Sequence, residues 1–359
     1  MADSQNILIG AEAFISAFSA CAASAKGRVL VQAMTFEGDK AGLALMDVLK
    51  SSPAKDKRLC VDRYSSVVVN DRFVFSTTYL RDGDFRREIR QGKRLLQSAE
   101  QFGVGIRQTN PTGPLLLRYP FRNHKKMVVC DDTVFLGGIN FSDHNFAWHD
   151  MMLRIDDPGL ADILAADFDQ NFKGIKTEGA HSYGDGEVLF LKRKSGQWDR
   201  LFDYFRQARK SISIVSPYVS WPLLDLLKNE VDSRVNITII SPETNNKSLF
   251  KKNLLHEAAD GYFDLRLYQH GMSHLKAVLI DDSTLIAGSS NYDFASYLFE
   301  EEVVITNTNP KIVQEFRQNV LFPMMDASKL LPSDDERCGR HGGSSKMLSL
   351  LVHSLKRLS

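Results

Sequence analysis

The chain has 359 residues, of which 43% are hydrophobic, and this is sufficient for one or two ordinary globular cores. A formal net charge of +1 neither indicates nor excludes a polyanionic partner. No apolar run approaches the roughly 20 residues that a membrane-spanning helix needs, and we expect no signal peptide because no basic segment precedes an apolar block at the N-terminus. The scattered cysteines favour reduced thiols in the cytosol: Cys21, Cys60, Cys130 and Cys338.

In the first half of the chain, β-rich apolar runs alternate with segments whose apolar residues recur at helical spacing. This pattern predicts helices at 11–25, 41–50, 91–101 and 160–172, and strands at 28–36, 58–62, 104–108 and 151–155. Alternation of strand and helix is typical of an α/β sheet flanked by helices.

Two segments of this half allow two interpretations each. The arginines of the irregular stretch 63–90 form either a solvated helix face, which we favour, or a basic rim that attracts anionic headgroups or nucleic acid; they are Arg81, Arg86, Arg87 and Arg90. The apolar run 115–117 follows a turn rich in proline and glycine. Such a run is more often part of a core, although a loop beside a site could use it to contact lipid.

The order of elements repeats in the second half, after a predicted linker at 174–186. The pattern predicts strands at 187–192, 211–216, 235–241 and 265–268 and helices at 198–209, 222–229 and 312–320. A polar segment that contains Lys247 and Lys251 is either a solvated helix face, which we favour, or a loop beside a substrate site. The chain therefore divides into a first half (1–173), the linker, a second half (187–325) and a tail (326–359) that is flexible up to residue 345.

The end of the tail has the pattern of a basic amphipathic helix. Its apolar residues fall at i, i+3, i+4 and i+7, with basic residues elsewhere; they are Leu348, Leu351, Val352 and Leu355. Such a helix either lies on a membrane surface or docks on the core of the protein or on a second subunit.

One short motif occurs twice and indicates an internal duplication. His124-Lys125-Lys126 begins an apolar strand that ends at Asp131, and Asn140 follows after a Gly-Gly pair. In the second copy, His274-Leu275-Lys276 leads to Asp281, and Asn291 follows after Gly288 and two serines. The motif residues are expected on a strand, a turn and a second strand. Packing alone does not require histidine, lysine and asparagine in both copies, so a functional explanation is favoured over two similar hairpins.

The chemistry of these residue types suits a phosphate ester. Histidine and lysine two positions apart project from the same face of a strand. An imidazole supplies a nucleophile or an acid, an ammonium group supplies fixed positive charge, and an amide supplies a neutral donor. Because His, Cys and carboxylates do not occur at metal-ligand spacing, we expect neither a metal nor another cofactor.

The paired motifs resemble the signatures of the phospholipase D superfamily, and the resemblance extends over about residues 9–325. Within that superfamily the chain is most similar to bacterial cardiolipin synthases, as the stretches 35–42, 121–123, 148–150 and 216–218 also indicate. The resemblance implies an α/β fold of two phospholipase D-like halves, each a mixed sheet flanked by helices. A pseudo-twofold axis relates the halves, and one active site lies between them. Ala295 departs from the family pattern, where many synthases have arginine.

The resemblance also implies roles for individual residues. His124 is assigned as the nucleophile and His274 as the acid, with Lys126, Lys276, Asn140 and Asn291 holding the phosphate oxygens. Glu302 would orient His124 and Asp150 would orient His274, each from the other half, although Glu300 and Glu301 are near enough in sequence to compete with Glu302. Gly138 and Ser289 are assigned to substrate binding. Asp131 and Asp281 are expected to be structural residues of turns.

The favoured function is phosphatidyl transfer from a donor such as phosphatidylglycerol onto a lipid alcohol, at the inner face of a membrane as a peripheral protein. A phospholipase D that passes the same intermediate to water is a rival, as is a nuclease of the superfamily. Nucleic acid is the less favoured partner because the charge is near neutral and no dense basic tract with interleaved aromatics occurs. An inactive binding module is disfavoured because His, Lys and Asn are intact in both copies.

Overall fold

A computed structural model of the protein describes residues 6–77 and 81–338. The first half forms a seven-stranded sheet in the order β1-β9-β8-β7-β2-β3-β6. Its strands are β1 (Ile7–Ile9), β2 (Arg28–Ala33), β3 (Asp56–Asp62), β6 (Val104–Thr109), β7 (Met127–Cys130), β8 (Thr133–Gly137) and β9 (Met151–Asp156), with β4 (Val68–Val69) and β5 (Arg72–Phe73) in a separate small hairpin. Its helices are α1 (Gly10–Ser24), α2 (Lys40–Ser51), α3 (Gly83–Ala99), α4 (Asp143–Phe146) and α5 (Pro158–Phe172).

The second half forms a nine-stranded sheet in the order β10-β11-β17-β16-β15-β12-β13-β14-β18. Its strands are β10 (Gly179–Tyr183), β11 (Gly186–Leu191), β12 (Ser211–Val215), β13 (Asn236–Pro242), β14 (Asp264–Tyr268), β15 (Ala277–Ile280), β16 (Thr284–Gly288), β17 (Glu302–Asn307) and β18 (Ser328–Leu331). Its helices are α6 (Gln197–Arg206), α7 (Leu223–Asn229), α8 (Ser248–Ala258), α9 (Phe294–Leu298), α10 (Pro310–Phe316) and α11 (Phe322–Asp326).

The two sheets share one topology, as the repeated motif predicts. The order β1-β9-β8-β7-β2-β3-β6 of the first sheet corresponds strand for strand to β11-β17-β16-β15-β12-β13-β14 of the second. In both sheets the last three strands of this series are parallel and the others are antiparallel. Both motif strands, β7 and β15, are buried along their whole length, which explains their continuous apolar sequence. The α/β fold predicted from the sequence is therefore confirmed.

A single hydrophobic cluster joins the halves. It contains Leu30 and Val129 from the first sheet and Val188 and Ala287 from the second, together with residues of α5, α10 and α11. Each sheet has a second cluster on its other face, against α1 and α2 in the first half and against α6 to α8 in the second. The shared cluster fixes the position of one motif relative to the other.

The predicted linker at 174–186 contains a strand and part of a β-hairpin. Residues 179–183 form β10, which pairs antiparallel with β11 across the two-residue loop Gly184-Asp185. A glycine–aspartate pair between two short strands is a hairpin signal. The hydroxyl of Tyr183 donates a hydrogen bond to the carbonyl of Thr306, which attaches the hairpin to β17.

The prediction of a flexible tail from residue 326 is wrong for its first residues. Residues 328–331 form β18, which pairs antiparallel with β14 and extends the sheet at its edge. Leu331 is buried in the cluster of the second half. The parallel edge strand β14 had an unpaired side, and a short apolar segment could satisfy its backbone groups. The predicted amphipathic helix at the end of the tail lies outside the described residues.

Two smaller differences concern the first half. Helix α3 begins at Gly83, eight residues before the predicted start, because the carboxylate of Asp82 accepts hydrogen bonds from the backbone N–H groups of Asp84 and Phe85. The run 115–117 is not part of the core, since Leu115 and Leu117 are exposed. Within the described residues, none of the helices is long and apolar enough to cross a bilayer.

Candidate active site

The two motif histidines face one cavity between the halves. His124 lies three residues before β7 and His274 three residues before β15, and both are almost completely buried. The cavity has a volume of about 90 Å³. Both histidines and both asparagines, Asn140 and Asn291, line it, so the structure brings four of the predicted residues together.

Each motif histidine is hydrogen-bonded to a carboxylate of the other half. The Nδ1 atom of His124 lies 2.9 and 3.0 Å from the two carboxylate oxygens of Glu302. The Nδ1 atom of His274 lies 2.8 Å from Oδ2 of Asp150. A carboxylate at Nδ1 fixes the ring orientation and holds the proton on that nitrogen, which leaves Nε2 for the cavity. Both contacts are the ones that the resemblance implied.

Backbone hydrogen bonds also join the two halves beside each motif histidine. The N–H group of His124 donates to the carbonyl of Glu301 (2.8 Å), and that of His274 donates to the carbonyl of His149 (2.8 Å). Each motif segment thus forms a short parallel bridge with the segment of the other half that carries its carboxylate. The imidazole and its carboxylate are therefore positioned by main-chain hydrogen bonds as well as by side chains.

The motif lysines lie at the base of the site. Nζ of Lys126 donates to the carbonyl of His124 (2.7 Å), and Nζ of Lys276 donates to the carbonyl of His274. Burial is the main cause that lowers the pKa of Lys126 to about 8 and that of Lys276 to about 7. A bound anion would raise both values again, because it would stabilise the charged ammonium.

The side-chain amides of the two motif asparagines differ in their hydrogen bonds. Oδ1 of Asn140 accepts a hydrogen bond from the backbone N–H of Thr35 (3.1 Å). Oδ1 of Asn291 is buried without a hydrogen-bond partner, although the residue lines the cavity. A buried polar group without a partner is costly unless a ligand completes it. The amide of Asn291 is thus available for a substrate atom.

Gly138 and Ser289 are not among the residues that line the cavity, but both adjoin a carboxylate that contacts a motif histidine. A Cβ atom at Gly138 would lie 2.3 and 2.5 Å from the oxygens of Asp150, so glycine leaves the space that this carboxylate occupies. The fully buried hydroxyl of Ser289 donates to Glu302. Both residues therefore help to position the carboxylates that orient the histidines, and their assignment to substrate binding stays a prediction.

The motif aspartates are structural, as predicted. The carboxylate of Asp131 accepts hydrogen bonds from the backbone N–H groups of residues 26–28 at the start of β2. That of Asp281 accepts from residues 209–211 at the start of β12. The loop after Asp131 is one residue shorter than the loop after Asp281, because β8 pairs directly from Thr133 and β16 from Thr284.

Comparison with known proteins finds relatives along most of the chain. A family model described as "Cardiolipin synthase, PLD-like domain" matches residues 201–321, which include the second motif. A probable cardiolipin synthase of Bacillus subtilis is 23% identical over 356 residues, covering 90% of this chain and 66% of that protein. Cardiolipin synthase A of Pseudomonas putida is 26% identical over 362 residues, covering 93% of this chain and 71% of that protein. In both motifs and along most of its length, the chain is similar to these phospholipase D-like proteins.

Solved structures share this fold. Phosphatidylserine synthase from Haemophilus influenzae superposes with a TM-score of 0.70 at 17% identity, covering 99% of this chain and 94% of that chain. Polyphosphate kinase from Porphyromonas gingivalis gives a TM-score of 0.60 at 11% identity, covering 97% of this chain and 53% of that one. At these identities the likeness is one of fold. The chain spans about two thirds of the length of the Bacillus relative.

Several further residues at the cavity were not assigned to it by the sequence analysis. Glu300 lies 3.7 Å from Nδ1 of His124, and burial is the main cause that raises its pKa to about 7. Lys247, predicted on a solvated face, also lines the cavity, with Nζ 4.6 Å from the ring centroid of Tyr218. The Trp148 ring lies 5.0 Å from that of His274. The only sequence signals were the run of three glutamates at 300–302 and the polar segment around Lys247.

Among the described residues, two groups of side chains could offer ligands to a metal ion. The first is His124, Glu300 and Glu302, and the second is Glu37, Asp39 and Glu88. In the first group both oxygens of Glu302 already accept hydrogen bonds, from Ser296 and Ser289. In the second, burial raises the pKa of Glu37 to about 9, and Oε2 of Glu37 is buried without a hydrogen-bond partner, so a metal bound there would have to displace a proton.

Proposed function

We propose that the chain is a phosphatidyltransferase of the cardiolipin synthase type, acting on phospholipid phosphodiesters through a phosphohistidine intermediate. The observation that carries this proposal is the pair of histidines, one from each half, that line one cavity with Nδ1 of each on a carboxylate of the other half. The names of the relatives, cardiolipin synthases, support phospholipid as the substrate class.

The first stage forms a phosphorus–nitrogen bond. Nε2 of His124 attacks phosphorus, and the bond from phosphorus to the leaving alcohol oxygen breaks as Nε2 of His274 gives that oxygen a proton. In the second stage His274 accepts a proton from the hydroxyl of the acceptor, whose oxygen displaces His124 from phosphorus. The acceptor is a lipid alcohol for transfer and water for hydrolysis. Assigning the nucleophile to His124 follows the family resemblance.

The proton that His274 donates must be taken up from solvent as the anionic substrate binds. Burial, followed by the charge of a motif lysine, lowers the pKa of His124 and of His274 well below the ordinary value, so both rings are neutral in the empty site. A phosphodiester anion beside them favours the imidazolium form of one ring. The Asp150 carboxylate stabilises that charge at His274, while Lys126, Lys276 and the asparagine amides stabilise the non-bridging oxygens.

We further propose that the protein works in the cytoplasm, as a peripheral protein on the inner face of the membrane. Its four cysteines are unpaired, and Cys60 and Cys130 are buried, which is compatible with a reducing compartment. A phospholipid donor and a lipid acceptor would both be taken from the bilayer.

Product analysis tests the proposed function. The protein is incubated with phosphatidylglycerol liposomes and, separately, with labelled single- and double-stranded DNA and RNA. Cardiolipin and free glycerol are the expected products. Phosphatidic acid without cardiolipin would assign a phospholipase D, and cleavage of nucleic acid alone would assign a nuclease; either result overturns the transferase.

A further inference from the structure

Four large apolar side chains are exposed on two loops of the first half. Phe73 and Phe75 belong to the hairpin of β4 and β5 and the residues after it, with 40% and 62% of their surface exposed. Leu115 and Leu117 belong to the loop before the first motif, with 93% and 73% exposed. We call these four residues the apolar rim. Grouped exposed apolar residues of this size mark an interaction surface.

The apolar rim is continuous with the cavity. Tyr64 lines the cavity, and its ring centroid lies 6.0 Å from that of Tyr119. The Tyr119 ring lies 5.6 Å from that of Phe73, which stacks on Phe75 at 5.1 Å. A series of rings therefore leads from the motif histidines to the surface, beside the leucine loop that ends at Tyr119.

The backbone of the leucine loop is held in an unfavourable conformation, whereas the left-handed residues at the hairpin tip are of types that tolerate it. Asn70 and Asp71 form the tip of the hairpin with φ of 50° and 56°, and Leu115 and Leu116 have φ of 51° and 58°. Left-handed backbone is uncommon for leucine and costs about 1–2 kcal/mol per residue. In Leu115 this strain serves to present an apolar side chain to solvent, which stabilises nothing within the chain. Such strain points to function at the loop.

Arginine side chains accompany the apolar residues. Arg72 directly precedes Phe73, and Arg118 directly follows Leu117; both are exposed. Apolar side chains that can enter the headgroup boundary, flanked by cations that remain among the phosphates, are the pattern of a protein surface that lies on an anionic bilayer.

We propose that the apolar rim docks the protein on an anionic phospholipid membrane and sets the mouth of the cavity against the lipid headgroups. This inference rests on the proposed lipid substrate, and it adds a docking surface within the folded first half, separate from the C-terminal segment. Rings with flanking arginines could also stack nucleic-acid bases. The membrane is the better match because Leu115 and Leu117, the most exposed members, have no aromatic face.

Liposome sedimentation tests the docking surface independently of catalysis, because it measures the fraction of protein bound to liposomes and not the formation of lipid product. The double variant Phe75→Ser/Leu115→Asn removes two exposed side chains, and asparagine tolerates the left-handed backbone at 115. With phosphatidylglycerol liposomes we expect at least about tenfold weaker binding, because each side chain loses its transfer into the bilayer. Phe75→Trp should retain binding, and its fluorescence should shift to the blue when liposomes are added.

Phe102→Ser is the matched control. Phe102 is 50% exposed and lies beyond the C-terminal end of α3, about 25 Å along this helix from Asp82, whose carboxylate lies 3.9 Å from Arg72. Liposome binding of Phe102→Ser should equal that of the unchanged protein.

Equal binding of the double variant and the unchanged protein would overturn the proposal. So would a loss of self-association or of oligonucleotide binding in the double variant, with liposome binding unchanged. If docking is lost as expected but no lipid product forms with the unchanged protein, the docking surface stands and the proposed transferase fails.

Discussion

Nδ1 of His124 lies 2.9 Å from Oε1 of Glu302, a residue 178 positions further along the chain and in the other half of the molecule. Ser289 and Ser296 donate hydrogen bonds to the same carboxylate, so its position is fixed on three sides. Each half therefore supplies a carboxylate to the histidine of the other half, and each histidine depends on the other half for its orientation.

Replacement of Glu302 by glutamine should separate orientation from folding. The amide has the same shape but cannot stabilise an imidazolium, and it can hold the ring in the wrong tautomer; we expect turnover to fall by about 10²–10⁴-fold. Initial rates with phosphatidylglycerol liposomes measure the effect, and the thermal transition checks the fold. Glu301→Gln is the neighbouring control: Glu301 pairs with Lys176 and Asn110 and does not contact the ring of His124. Equal rates in the two variants would remove Glu302 from the mechanism.

Alanine at either motif histidine should abolish turnover and leave the fold intact. Loss of the nucleophile or the acid removes about 10³-fold or more of the rate. The exposed His181 of β10 serves as the control, and His181→Ala should keep full activity. Circular dichroism checks folding. If the assignment of the nucleophile is correct, mass spectrometry after rapid quenching should find the phosphatidyl adduct on His124 of the unchanged protein and none in His124→Ala. Near-full activity of either variant contradicts the shared site.

Gly138→Ala should displace the carboxylate of Asp150 from His274. Its Cβ atom would overlap the oxygens of Asp150 at 2.3–2.5 Å, so the carboxylate must move away from His274. We expect turnover to fall about 10–100-fold, as for other losses of a group that orients a histidine. Gly196→Ala is the control, because a Cβ atom at Gly196 would have no neighbour within 4 Å. Wild-type rates in Gly138→Ala would show that Asp150 does not need its present position.

The buried Lys276 should make stability depend on pH. Burial is the main cause that lowers its pKa from 10.5 to about 7. Between these pH values the unfolded chain binds a proton that the folded chain lacks, so the free energy of unfolding due to this group rises with pH and is smallest below pH 7. The slope is on the order of 1 kcal/mol per pH unit. Urea unfolding at several pH values should show this slope in the unchanged protein and a smaller one in Lys276→Met. Parallel curves would mean that Lys276 stays charged in the fold.

The edge strand β18 should contribute measurably to stability. Leu331→Ala removes a buried side chain from the cluster of the second half, and we expect the free energy of unfolding to fall by about 2–3 kcal/mol. The adjacent Leu330 is 44% exposed, so Leu330→Ala should change it by less than about 0.5 kcal/mol. Denaturant unfolding compares the two. Equal effects would indicate that β18 does not pack as described.

The sequence was sufficient for the duplicated topology and for the pairing of His124 with Glu302 and His274 with Asp150, because both follow from repeated short motifs and a family resemblance. It was not sufficient where a contact depends on distant neighbours. Whether Lys247 faces solvent or the cavity is decided by the packing of α8, and local spacing carries no information about it. The pairing of residues 328–331 likewise depends on a free sheet edge more than 60 positions upstream.

The cross-half contacts have a consequence for how the molecule can be divided. Residues 173–176, between the two sheets, are exposed, so a protease that nicks the chain there would cut outside the shared cluster and leave two pieces held together by it. Neither piece is self-sufficient: the first has His124 without Glu302, and the second has His274 without Asp150. In this sense the protein resembles a heterodimer joined into one polypeptide, in which each half supplies the carboxylate that orients the histidine of the other half.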